Sequence, residues 1–392
     1  MTRQRVVIIG GGAIGSAVAY WLTADPAFVG EVVVVERDPG YAMASSALSA
    51  SSIRQQFSSP VNIEIGRFGI GFLRTLGERL RVEGEPPPEI GLVEPGYLYL
   101  ATPAGMETLR ANHAVQRAHG ADVVLLTPAE LRERFPWLDV EGLAGGSLGL
   151  SGEGWFDGYG LLRAFRAKAI AQGARYLKAE AVGLVRGRER IEAVRLADGG
   201  TLACDAVVNA AGPWAARIAA MAEVDLPVRA RARSVFVLSC PERLPGCPLL
   251  IDPSGFWLRP EGQHFITGAP PRPGEDLDDL PLEPDHGLFE EVIWPALAAR
   301  VPAFERLKVV NAWAGYYEMN VFDHNGIVGP HPEIRNLYFA NGFSGHGIQQ
   351  SPAVGRGIAE LVVHGRYRTL DLSPLGLERI LRGEPLIERN VI

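Results

Sequence analysis

The sequence predicts a mixed α/β (α+β) fold: a parallel-sheet domain of the nucleotide-binding type, assembled from separated stretches of chain, with an inserted β-rich domain. Three observations predict it. A short, wholly apolar run at residues 6–9 leads into Gly10, Gly12 and Gly15, and a helical pattern follows over residues 13–23. A second buried-strand pattern, AVVNAA at residues 206–211, ends in Gly212-Pro213-Trp214. A third, at residues 337–340, runs into a glycine-rich turn and a helix over about residues 351–364. Continuous apolar runs of this length mark strands covered on both faces, as in parallel sheets.

The chain has 392 residues, more than one ordinary core holds. Its 47% apolar and 21% charged residues are a globular balance. A net charge of -7 argues against nucleic acid as a partner, because phosphate binding needs a basic surface. Cys204, Cys240 and Cys247 fit neither a zinc spacing nor a disulfide framework, which points to reduced thiols and a cytoplasmic location. No metal is expected. The apolar start resembles a signal peptide, but glycines at 10, 11, 12 and 15 break it and a second strand pattern follows. No run is apolar enough to cross a bilayer.

The remaining elements follow in order. Residues 31–36 (EVVVVE) form the second strand, and a loop of small residues spans 42–52. A helical stretch covers about 61–80, then Pro86, Pro87 and Pro88 break the chain. Residues 96–100 read as a strand, 104–120 and 128–134 as helices, and 161–172 as another helix after a turn. Residues 228–266 alternate β-branched and aromatic residues with turns. Residues 274–285 form an acidic, exposed loop, and 286–300 a helix. In the last helix Val354, Ile358, Leu361 and Val362 share one face. The expected division is 1–85, 145–225 and 310–392 for the nucleotide domain, and 86–144 and 226–309 for the β-rich, substrate-binding domain.

Gly10-x-Gly12-x-x-Gly15 between strand and helix is a Rossmann-like dinucleotide motif. The first glycine permits the turn, the second lets a diphosphate approach the backbone, and the third lets helix and strand pack closely. The helix start, at Ala13 and Ile14, supplies free N–H groups. Glu36, about twenty residues on, can accept hydrogen bonds from both ribose hydroxyls and would repel a 2′-phosphate. This unit alone does not separate FAD from NAD. Two later stretches favour a flavin. The run Ser45-Ser46-Ala47-Leu48-Ser49-Ala50-Ser51-Ser52-Ile53-Arg54 is small and hydroxylated, suited to a diphosphate or a flat ring. Asn341-Gly342-Phe343-Ser344-Gly345-His346-Gly347-Ile348-Gln349-Gln350 opens a helix, whose N-terminus would stabilise an anionic reduced flavin.

With these motifs in hand, the chain resembles the D-amino-acid oxidase superfamily of FAD-dependent amine oxidoreductases, in the branch of sarcosine oxidase, glycine oxidase and dimethylglycine dehydrogenase. The resemblance rests on VVIIGGGAIGSAVAYWL with Glu36, ASSIRQQFS, VVNAAGPWA, WAGYYEMNVFDHNGIVG and FANGFSGHGIQQSPAVGRGIAELV, in the family's order. IRQQFS, WAGYYEMN and GFSGHGIQQ are most similar to a mitochondrial group of FAD-dependent oxidoreductase-domain proteins that assist assembly of a respiratory complex. The resemblance implies a glutathione-reductase/D-amino-acid-oxidase-like fold. It implies that Gly10, Gly12, Ala13, Ile14, Gly15, Glu36 and Arg37 hold the ADP half. Ser45, Ser46, Ser51, Ser52 and Ile53 would lie along the diphosphate and flavin, and Val182 would contact adenine through its backbone. Ala211, Gly212 and Trp214 would line the ribose side, and Gly342, Phe343, Ser344, Gly345, His346, Gly347, Ile348 and Gln349 would cap the flavin ring.

The same resemblance places Arg54 on a substrate carboxylate, which a guanidinium fork matches bidentately. The family's second cation corresponds to Gln349, which is neutral. His346 and Tyr317 are the further catalytic candidates, while Tyr316, Arg259 and His264 are weaker ones. Tyr316 stands where some relatives carry a cysteine bonded to FAD, and residues 42–52 contain no histidine, so noncovalent FAD is expected. Ile266 stands where the oxidases carry an oxygen-activating lysine, which favours a dehydrogenase. The expected reaction is oxidation of the C–N bond of a secondary or N-methylated amino acid such as sarcosine, dimethylglycine or proline. The expected electron acceptor is oxygen, a quinone or an electron-transfer protein. The alternative is an FAD-containing assembly protein with little turnover.

Overall fold

In the computed structural model, which describes residues 4–389, the first turns of chain set the geometry of everything that follows. Strand β1 (Gln4–Ile9), helix α1 (Ala13–Ala24) and strand β2 (Gly30–Glu36) form a parallel βαβ unit, with Val6 opposite Val32 and Ile9 opposite Val35. The sheet they start has six strands, in the order Ile327–Pro330, Leu337–Asn341, Ala206–Asn209, β1, β2 and Arg175–Lys178. All neighbours are parallel except the edge strand Ile327–Pro330. From β1 the chain first builds outward through β2, then returns to add Ala206–Asn209 on the other side of β1. That reversal leaves a crevice at the carboxyl end of β1, where open α/β sheets bind ligands.

Helix α1 is almost wholly buried because helices Gly158–Ala171 and Gly347–His364 flank it. Gly355 makes the second contact possible: a Cβ there would lie 2.7 Å from Ala17. Helix Gly347–His364 begins four residues before the expected 351, so Ile348 and Gln349 belong to its first turn. Residues 286–300 form one helical path with a π-helical turn at Phe289–Ile293.

A second sheet has eight strands, in the order Lys308–Asn320, Val228–Ser239, His264–Gly268, Trp257–Glu261, Leu249–Ile251, Tyr97–Ala101, Gly145–Gly149 and Val123–Leu126. The boundaries expected at 145 and 310 therefore meet strands of this sheet. Its central strands alternate sharply. Leu98, Leu100, Phe236, Leu250 and Leu258 pack into a core with Phe265, Phe289 and Phe304. Their odd-numbered neighbours Tyr97, Val235, Leu249 and Trp257 face a cavity instead. Period-two alternation is what a sheet with one face on a core and one on a site requires. Among the described residues no helix is long and apolar enough to cross a membrane.

Candidate functional site

The crevice at the end of β1 is built by steric necessity. Gly10 has φ +98°, and a Cβ on it would meet the Ala210 carbonyl oxygen at 2.3 Å. A Cβ on Gly15 would lie 1.9 Å from the Gly10 oxygen. Gly12 differs: its nearest obstacle is the Ser46 hydroxyl, 3.3 Å from where its Cβ would sit. The outer two glycines thus serve the fold, and the middle one keeps the crevice open. Glu36 is fixed beside the loop, its carboxylate accepting from Gly11 N and Asp38 N, each at 2.8 Å. The Ser46 hydroxyl accepts from Ala13 N at 3.1 Å, at the start of α1. Arg37 stacks on the Trp214 ring at 3.8 Å and joins the two lips of the crevice. Ala211 and Gly212, the latter at φ +55°, form the second lip. The Ala179 amide donates to the Glu36 carbonyl at 3.1 Å, which brings strand Ala181–Arg186, with half-exposed Val182, to the tip of β2.

Two buried hydroxyls of this region, Tyr41 and Ser45, make no hydrogen bond. Leaving a buried polar group unpaired costs about 1–3 kcal/mol. A helix N-terminus, a positioned carboxylate, an unobstructed glycine and orphaned hydroxyls together fit the diphosphate and ribose of FAD.

The crevice continues past Ile14, Ser45 and Ser46 into a cleft of about 1340 Å³, counted to its open mouth. One wall is the stretch 48–54 and the other the turn 344–349. Ser51 is held at φ +49° and Ser344 at φ +51°. Ser52 and Ile53 pair with Trp155 and Gly154 in a two-stranded ribbon. Gly345, at φ +94°, lies so close to Tyr317 that a Cβ would meet its ring at 2.4 Å. Gly342 and Phe343 do not line the cleft; Phe343 turns into the core, and Gly342 donates its amide to Glu318 at 3.1 Å. The remaining cleft surface comes from the eight-stranded sheet.

Arg54 is 1% exposed and lies at the inner end of the cleft. Its amide donates to the Gln349 side chain at 2.8 Å, which ties the two walls together. Its guanidinium donates to the Gln56 carbonyl at 2.9 Å and to the Tyr99 hydroxyl, and one nitrogen lies 2.8 Å from His346 Nε2. A guanidinium only donates, so His346 must present a lone pair at Nε2. Burial, Arg54 and His324 hold the imidazole well below its ordinary pKa, in agreement with that neutral form. Behind Arg54 the fully buried Glu153 accepts from the amides of Gln55 and Gln56, at 2.6 and 3.0 Å. The Tyr317 phenol is pushed up by burial, with Arg233 and Arg54 acting against that rise. Arg233 also lines the cleft, in a bidentate pair with Asp276 at 2.6 and 3.1 Å.

Several sequence candidates stand elsewhere. Arg259 grips the Ala50 carbonyl at 2.6 Å, so it braces the serine-rich stretch. His264 is exposed, and Ile266 is buried in its strand outside the cleft lining. Tyr316 does line the cleft, and its hydroxyl donates to the Leu280 carbonyl at 2.7 Å. None of the three cysteines lines the cleft, and burial pushes the Cys204 thiol up to about 11. Tyr97, Tyr99, Glu153, Arg233 and Glu318 escaped sequence reasoning. For the tyrosines a signal existed, in the alternation of Tyr97-Leu98-Tyr99-Leu100. The other three carry no local signal, because their partners come from distant chain.

Comparison with known proteins agrees with this geometry. The family model described as FAD dependent oxidoreductase (DAO) matches residues 5–361. FAD-dependent oxidoreductase domain-containing protein 1 of Xenopus laevis is 43% identical over 425 aligned positions, covering 100% of this chain and 85% of that protein. L-proline dehydrogenase from P. horikoshii superposes with a TM-score of 0.85 at 28% identity, over 98% of this chain and 99% of its own. Glycine oxidase from Geobacillus kaustophilus gives 0.81 at 27% identity, over 95% and 98%.

Proposed function

The chain belongs to the DAO family of FAD-dependent oxidoreductases, and from that premise we propose that it oxidises the C–N bond of a secondary or N-methylated amino acid. Arg54 carries this reading: a buried guanidinium that lines an open cleft and is hydrogen-bonded there to a carbonyl, a phenol and an imidazole. A guanidinium fork matches a substrate carboxylate in geometry and charge. The family's amino-acid enzymes, glycine oxidase and sarcosine dehydrogenase among them, support the substrate class. An open cleft with a cation inside also favours an enzyme over a purely structural flavoprotein.

FAD, held by the Gly10–Gly15 loop, Glu36, Ser46 and the start of α1, would supply the two-electron acceptor for the carbon beside the substrate nitrogen. The chain's own groups do the rest. Arg54 fixes the carboxylate and thereby the angle of the C–N bond. His346 positions Arg54, since its Nε2 is already committed to the guanidinium, so the amine must enter as the neutral base. Tyr317 and Trp257 form walls that exclude water from the reacting carbon. The oxidised substrate leaves as an imine and is hydrolysed in solvent. FAD is held without a covalent bond, because no cysteine borders the cleft and residues 42–52 lack histidine. Arg54 and Arg233 are the cations of the cleft wall and each is engaged by protein groups. Superoxide thus lacks a dedicated counter-charge, which favours a quinone or an electron-transfer protein as acceptor.

Anaerobic mixing with sarcosine, dimethylglycine, proline and other N-alkyl amino acids tests the proposal. At least one should bleach the flavin with saturable kinetics. A panel in which none does so, with FAD fully loaded, sinks the substrate class and favours the assembly role.

A further inference from the structure

Glu318 is a buried acid between the two loops that face the cofactor. One oxygen accepts from Gly342 N at 3.1 Å and lies 3.9 Å from where a Cβ on Gly212 would be. The other lies 3.0 Å from the corresponding point on Gly347. The Glu318 carbonyl accepts from Ser344 N at 3.1 Å. The residue is 8% exposed and what it exposes borders the cleft. Among the described residues no cation forms an ion pair with it.

An anion here would be buried, unpaired and close to where a diphosphate-bearing cofactor must lie. Amides from one loop are too few to offset that desolvation. The neutral acid has one O–H donor, and the residue borders the cleft. We infer that Glu318 is held as a neutral carboxylic acid and donates its O–H to an oxygen of bound FAD, so that cofactor retention is coupled to its proton. Burial accordingly pushes the group up to about 8.

Other ionisable groups stand on the elements around it. Tyr316 and Tyr317 share its strand, and His346 lies in the loop above. On the neighbouring strand Arg229 and Arg231 are 3.7 and 2.8 Å from Asp278. A variant at Glu318 itself separates its proton from theirs.

The linkage has a definite sign. FAD prefers the protonated form, so affinity is constant below the pKa of the apoprotein and falls as the acid ionises above it. Fluorescence titration of apoprotein with FAD, from about pH 6 to about pH 9.5, should show wild-type affinity weakening roughly tenfold per pH unit above about pH 8. Glu318→Gln keeps a permanent N–H donor and should bind FAD with no such break. Equal pH profiles for the two proteins overturn the inference. A measurement on wild type alone guards against a variant that does not fold. Calorimetry of FAD binding near pH 8, in buffers of different ionisation enthalpy, should show net proton uptake; zero uptake overturns the inference.

Discussion

The cofactor crevice and the Arg54 pocket adjoin each other, yet they are made in opposite ways. The first lip of the crevice is local. Gly10, Gly15, Glu36 and Ser46 lie within one stretch of chain, and backbone amides do most of the work. The pocket is assembled at long range. Arg54 meets Tyr99 from 45 positions away, His346 from 292 and Gln349 from 295. A local cradle recognises what every member of a fold family shares. A long-range pocket can change its lining one side chain at a time without disturbing the cradle.

The largest way to break this contrast is Gly15→Ala. Its methyl would sit on the Gly10 carbonyl, so strand and helix must separate. The expected loss is about 3 kcal/mol or more, with FAD content falling roughly a hundredfold. Flavin absorbance per protein checks it, and full retention would refute the steric account.

A smaller effect belongs to His346. Its folded pKa is depressed, so the unfolded chain takes up a proton first as pH falls. Stability contributed by the neutral ring is therefore intact above about 6.5 and lost below it, at up to about 1.4 kcal/mol per pH unit. Urea unfolding at several pH values should show this slope in wild type and a flatter curve in His346→Asn. The smallest effect belongs to the acidic loop at residues 274–285. Asp276 is 38% exposed in its pair with Arg233, so Asp276→Asn should cost less than about 1 kcal/mol in thermal unfolding. Any larger loss would mean that the acidic loop is part of the core.

What was legible in the sequence follows the same contrast. The βαβ unit, the strand at AVVNAA and the glycine turn before the last helix were readable because each is a local pattern with a steric reason. Arg54 was readable only through family resemblance, and its partners were not. Glu153, Arg233 and Glu318 look like ordinary charged residues in sequence; only topology brings Arg233 and Glu318 to one cleft and Glu153 behind it. The early start of helix Gly347–His364 was hidden by Pro352, which lies inside the helix; the Ile348 carbonyl, which proline cannot serve, accepts instead from the Ser351 hydroxyl at 2.9 Å. Arg259 resembled a substrate ligand because its strand borders the site, whereas its side chain turns to the Ala50 carbonyl.

One measurement tests the division of labour most directly: FAD content and anaerobic flavin-reduction rate in the same sample of Arg54→Ala. Removing one partner of a buried charged contact costs about 2–5 kcal/mol. The substrate that bleaches wild type should thus reduce the variant with kcat/KM lower by roughly a thousandfold, while its FAD content stays at the wild-type level. A variant that keeps its rate, or that loses rate only in proportion to lost FAD, would contradict the assignment of Arg54 to the substrate.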